Sequence, residues 1–97
     1  MADEDVDNMG VRLLFTGRVQ GVYFRANTRQ QALQLGLRGW VRNLPDGRVE
    51  AWVEGGRSDV GRLVKFCQTG IPGARVDMVD MEEAPPTGDY PSFEVRR

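Results

Sequence analysis

The chain has 97 residues, a formal net charge of −1, no histidine and a single cysteine, Cys67. That length supports one domain with a modest core, and 40% apolar residues suffice to fold it. One cysteine excludes an internal disulfide framework and any multi-cysteine metal or iron–sulfur site, no apolar run approaches the ~20 residues of a membrane helix, and the commonest general base and metal ligand is missing.

Residues 1–9 open with Asp3, Glu4, Asp5 and Asp7 and lack the apolar core of a signal peptide. They read as a disordered acidic tail ahead of a domain at 10–97, and cytoplasmic location follows from the sparse cysteine usage. From Val11 to Arg75 there are eleven bases and four acids; from Val76 onward there are six acids and two bases. A basic middle suits an anionic ligand, although most of these arginines read as solvated surface.

Val11 to Thr16 alternates as a strand, with Val11, Leu13 and Phe15 on one face. Gly17-Arg18-Val19-Gln20-Gly21-Val22-Tyr23-Phe24-Arg25 follows as a glycine-bearing loop. A helix is predicted from Phe24 to Leu35, with Phe24, Thr28, Ala32 and Leu35 on one stripe and Gly36 ending it. Leu37 to Leu44 reads as a second strand, Pro45-Asp46-Gly47 as a turn, and Arg48 to Glu54 as a third strand closed by Gly55-Gly56. The third strand turns Val49, Ala51 and Val53 one way and Glu50, Trp52 and Glu54 the other. Ser58 is placed to cap a second helix carrying Val60, Leu63, Val64 and Cys67 at helical spacing, and Gly70 ends it. Arg75 to Glu82 is a fourth strand, Ala84 to Pro91 a loop, and Phe93 to Arg96 a short last strand. The order βαββαβ, with right-handed crossovers, gives an α+β, ferredoxin-like sandwich. Both helices cover one sheet face, and the other, bearing Trp40, Trp52 and the glutamates, is expected to be partly exposed.

The chemistry on offer is narrow. Cys67 falls on the apolar stripe of a helix and reads as core rather than nucleophile. Any catalysis must therefore rest on binding and positioning. Arg25 sits where a helix begins, beside a Gly-x-x-x-Gly loop whose backbone N–H groups can converge on an anion. A lone surface arginine would more often pair with a carboxylate; beside this loop, bidentate grip on phosphate oxygens is favoured. Asn43 has the parity of Leu37 and Val41. By spacing alone it is either a turn former bonded to the Pro45-Asp46-Gly47 backbone, the favoured reading, or a polar group kept for a ligand.

With both segments in hand, the chain resembles an acylphosphatase. Gly17 to Arg25 matches that family's first motif, and Gly39-Trp40-Val41-Arg42-Asn43 with Gly47, Val49 and Gly55 matches the second. The resemblance implies a fifth strand at a sheet edge and hydrolysis of acyl phosphates to a carboxylate and inorganic phosphate. It implies that Arg25 binds the phosphate, that backbone N–H groups of Val19, Gln20, Gly21, Val22, Tyr23 and Phe24 form the cradle, and that Asn43 orients the attacking water. It thereby reverses the turn reading of Asn43. Neither metal nor cofactor is implied; the expected partner is a small acyl phosphate, with no nucleic acid or membrane, and the protein is expected to be a monomer.

Two departures from the family pattern stand out. Phe15 replaces the usual aliphatic residue, which should affect packing only, and the chain ends Val95-Arg96-Arg97 without the common terminal tyrosine, which puts any contact of that terminus in doubt. Two rival readings remain at this point. One is a non-catalytic module that binds phosphate or carbamoyl phosphate. The other is RNA binding, for which the third strand offers one aromatic flanked by acids where paired aromatics are needed.

Overall fold

The computed structural model describes residues 7–97, and most of the acidic segment expected at residues 1–9 lies outside them. The elements follow as β1 (Asn8–Arg18), α1 (Phe24–Gln34), β2 (Arg38–Asn43), β3 (Val49–Gly56), α2 (Arg57–Thr69), β4 (Arg75–Ala84) and β5 (Phe93–Arg96). The strands form one sheet in the order β4-β1-β3-β2-β5. All neighbours are antiparallel except β2 and β5, which run parallel with Gly39 opposite Phe93. This is the ferredoxin-like sandwich anticipated above, with the terminal strand at one edge.

Period-two alternation decides which side chains meet the helices. Leu13 and Phe15 of β1 and Val49, Ala51 and Val53 of β3 are all fully buried and belong to one core with Leu63 of α2. Burying the leucine, phenylalanine and valine side chains among these contributes about 2 kcal/mol each. Phe24, the first residue of α1, sits 5.2 Å centroid to centroid from Phe15 at a tilt of 59°. The aromatic at position 15 thus clamps the start of α1 onto the sheet, as a packing role requires. The other end of α1 closes with Gly36 and Leu37 donating back to the carbonyls of Leu33 and Ala32, a Schellman ending.

Three expectations need correction. β1 begins at Asn8, so Asn8 and Met9, expected in the tail, are part of the sheet: they pair with Gly56 and Gly55, and Met9 is buried. The cause is β3, which does not stop before its two glycines but continues through them and offers β1 a longer ladder. For the same reason α2 starts at Arg57 directly from the strand. Gly56 takes the N-cap position and no side chain caps it, Ser58 included; the Arg57 N–H instead donates to the Asp7 carbonyl at 2.9 Å, meeting part of the need a cap would serve. Lastly, the glutamates on the face away from the helices are not exposed: Glu50 and Glu54 keep 3% and 1% of their accessible surface. Arg12 and Arg42 both bond the Glu50 carboxylate. The loop after β4 lies over Glu54, which accepts from the Thr87 hydroxyl, the Gly88 N–H and the Trp52 indole.

Candidate active site

The loop between β1 and α1 is shaped by a break in the sheet. The β1–β4 register shifts between Thr16 and Gly17, and Gly17 has φ +140°, so close to the Arg75 carbonyl that a side chain there would collide with it. The chain is thereby turned off the sheet with Val19 still buried as an anchor. Gly21 at φ +77° and Tyr23 at φ +60° then flank Val22, whose φ is negative. Alternating hands turn successive N–H groups toward one side, the geometry of an anion nest. Among the described residues Tyr23 is the one non-glycine with positive φ, a conformation that costs ~1 kcal/mol or more. Its carbonyl is held by the Asn27 N–H at 3.0 Å and the Asn27 side-chain amide at 2.9 Å. Among the described residues no protein acceptor takes the N–H groups of Gln20, Gly21, Val22 or Tyr23. With the first N–H groups of α1, which have no partner within the helix, they make a continuous run of donors.

Arg25 follows the pinned Phe24. It is half-buried, at the positive end of the helix dipole, with no acidic residue in the first turn. A cation there is unfavourable without an anion. Its Nη1 donates to the Arg96 carbonyl at 3.4 Å, and among the described residues no carboxylate pairs with it. The surface-pair reading of Arg25 is therefore not what the structure contains. The bond to Arg96 also answers for the chain end: the C-terminal strand does touch the site, through its backbone. The Arg96 guanidinium, in turn, lies 5.2 Å from the Trp40 ring.

Asn43 ends β2 on the same side as the buried Val41. It does not serve the turn. That work falls to Asp46, whose carboxylate accepts the Arg48 N–H at 3.0 Å, while Gly47 N–H reaches the Leu44 carbonyl and Leu44 N–H the Arg48 carbonyl. The Asn43 Oδ1 is buried and has no hydrogen-bond partner among the described residues. A buried orphan acceptor calls for an explanation, and its position gives one.

A cavity of about 420 Å³ opens between these elements, lined by Asn43, Arg25 and the loop residues Val19, Gln20, Gly21, Tyr23 and Phe24. Of the cradle expected from the sequence only Val22 is missing from the wall, because its side chain packs on the core. Ala26 and Val95 join the lining without having been anticipated. Ala26 had a weak signal, as a small residue beside a candidate ligand. Val95 had none, since only the parallel pairing of Val41 with Val95 brings it there.

The comparisons with known proteins agree with this geometry. The acylphosphatase family model matches residues 11–95. An acylphosphatase of Anaeromyxobacter dehalogenans is 53% identical over 90 residues, spanning 93% of this chain and 97% of that protein. One of Rubrobacter xylanophilus is 56% identical over 86 residues, 89% of this chain and 78% of its own length. The chain belongs to the acylphosphatase family. A solved acylphosphatase structure from Coxiella burnetii superposes with a TM-score of 0.88 at 36% identity, covering 99% of this chain and all of that one. The acylphosphatase reaction, hydrolysis of an acyl phosphate, is thus the activity of this chain, and the non-catalytic reading falls.

The remaining reactive groups of this acylphosphatase lie elsewhere. Burial pushes the Cys67 thiol up to about 12, a contact with the Thr28 hydroxyl only partly offsetting it. It is a core residue, as expected. Burial also raises Glu50 and Glu54, but hydrogen bonds outweigh it and hold both below the ordinary 4.5: from Arg12 and Arg42 to Glu50, and chiefly from Thr87 and Gly88 to Glu54. Among the described residues no group of three His, Cys, Asp or Glu comes together as a metal site, and no helix is long and apolar enough to cross a membrane.

Proposed function

We propose that Arg25 and the N–H groups from Gln20 to Arg25 bind the phosphoryl oxygens of the acyl phosphate, and that Asn43 orients the attacking water. The orphaned Oδ1 of Asn43, in the wall of the cavity that Arg25 also lines, carries this reading. An acceptor without a partner accepts from water, and a carboxamide holds water without deprotonating it. Arg25 has five N–H donors and uses one on Arg96, leaving a face for two phosphoryl oxygens.

The reaction asks little more of the protein. Water oxygen attacks phosphorus in line, the bond from phosphorus to the acyl oxygen breaks, and the carboxylate leaves with the electron pair. A carboxylate needs no general acid, which fits a site without histidine. One water proton stays on the new P–OH and the other passes to a phosphoryl oxygen, giving dihydrogen phosphate and the free carboxylate. The transition state is loose, so positioning and charge stabilisation supply most of the catalysis. Metal-free turnover and a monomeric, cytoplasmic enzyme complete the reading.

Titrating ¹⁵N-labelled protein with inorganic phosphate tests the binding half. The amide signals of Gln20 to Arg25 are expected to move together and saturate, and an unmoved loop overturns the assignment. Hydrolysis of benzoyl phosphate is expected to continue at full rate in excess chelator; loss of turnover there contradicts a reaction run by Arg25 and Asn43 alone.

A further inference from the structure

The two halves of the site stand on elements that the sheet does not join. The cradle and Arg25 follow β1, Asn43 ends β2, and β3 lies between those strands. Backbone ladders fix β1 and β2 each against β3, but no ladder runs between the loop beyond β1 and the end of β2. Among the described residues one side chain hydrogen-bonds directly from the loop to the β2–β3 hairpin, while Arg25 reaches only β5, at the Arg96 carbonyl. The Gln20 carboxamide nitrogen donates to the Leu44 carbonyl at 2.9 Å and to the Arg48 carbonyl at 3.0 Å. Leu44 is the residue after Asn43, and Leu44 and Arg48 form the neck of the β2–β3 hairpin.

Both carbonyls already have a partner. Leu44 accepts from the Gly47 N–H and Arg48 from the Leu44 N–H. Gln20 takes the second acceptor site on each, so a single NH₂ group ties both strands of the hairpin to the loop. Only a primary amide at this reach supplies two donors from one atom at no charge. A methionine has the length without the donors, and an ionised glutamate would set a negative oxygen against two carbonyls.

We infer that Gln20 is a positioning residue: its carboxamide fixes the distance between the phosphate cradle on the loop and the Asn43 side chain on β2. The inference rests on the roles given above to Arg25 and Asn43. It separates two functions of one residue, because the Gln20 N–H remains in the cradle whatever the side chain does. Loosening the clamp should therefore misplace the water relative to the phosphorus while leaving phosphate capture nearly intact.

The test is a double-mutant cycle on benzoyl phosphate hydrolysis with Gln20→Met, Asn43→Ala and the pair. Gln20→Met is expected to lower kcat about tenfold, within the ~100-fold that a misplacement of 1 Å can cost. Its inhibition constant for inorganic phosphate should shift by no more than about threefold. In the Asn43→Ala background the same change should lower kcat by less than about twofold, since residues acting as a unit are not additive. A second variant keeps the idea exposed if the first packs badly. Gln20→Glu should be impaired at neutral pH and recover relative to the parent as the pH falls, because only the protonated carboxyl donates to a carbonyl. Independent, multiplicative losses, a phosphate affinity that falls as far as kcat, or no acid recovery overturns the inference. If Asn43→Ala is impaired but Gln20→Met is not, the clamp alone is wrong; if Asn43→Ala turns over normally, the water-orienting role fails with it.

Discussion

Glu50 and Asn43 sit on neighbouring strands and opposite faces of the same sheet, and both carry side-chain oxygen withdrawn from solvent. They are finished to opposite degrees. Glu50 has a guanidinium on each carboxylate oxygen, Arg12 on one and Arg42 on the other. Asn43 presents an oxygen with no partner among the described residues. A buried polar group whose bonds are complete holds the fold together. One whose bonds are incomplete, beside an arginine and N–H groups that have no carboxylate or acceptor among the described residues, keeps hydrogen-bonding capacity for a ligand. The contrast separates architecture from chemistry within a few residues of sequence.

The sharpest way to break the comparison is to remove the cation from the open site. Arg25→Ala is expected to cut kcat/KM by ~10³-fold or more, the range in which an arginine stabilises phosphoryl-transfer charge. Thermal stability should be nearly unchanged, since the residue gives up only one long bond to Arg96. Steady-state hydrolysis of benzoyl phosphate beside a melting curve checks both. Asn43→Ala comes next, with kcat down about 100-fold, as for loss of a single positioned transition-state contact. Competitive inhibition by phosphate should be changed far less. A mutant whose phosphate affinity collapses along with kcat would place Asn43 among the phosphate ligands instead.

The closed site should behave in the reverse way. Glu50→Ala leaves two arginines without their shared partner, and since both guanidiniums are nearly half exposed the cost is discounted from that of a fully buried pair to about 2 kcal/mol. That corresponds to a melting temperature lower by roughly 10 °C for a domain of this size, with kcat of the folded protein unchanged. The pH dependence sharpens the point. Glu50 is held below its ordinary 4.5 in the folded protein, so the unfolded chain takes up the proton first. The stability it contributes is complete above 4.5 and is lost as the pH falls through the lower folded value. Urea titrations from about pH 6 down to pH 3 should show stability dropping with acid, and a shallower drop in Glu50→Ala.

Much of this was legible without coordinates, and the exceptions share a cause. The strand alternation of Leu13 and Phe15, the helical spacing of Val60, Leu63, Val64 and Cys67, and the Gly36 ending are local signals, and all hold in the structure. The curl of the glycine-bearing loop and the place of Arg25 at its end are legible because they depend on adjacent residues. Ser58 is not the cap that local spacing predicts, because β3 runs through its glycines into α2, a pairing choice made by β1. Glu50 and Glu54 were misplaced at a surface because their partners, Arg12 and Thr87, are far along the chain.

The sequence by itself determined the order of elements, the apolar face of each strand and a loop able to curl around an anion, because each depends on residues within a few positions of one another. Tertiary structure alone decided that Asn43 would leave the turn to Asp46 and line one cavity with Arg25, that Val95 would line it too, and that the Gln20 amide would bond both strands of the hairpin. Those facts depend on which strands lie side by side. Register is set by the whole core closing at once, not by any single segment of chain.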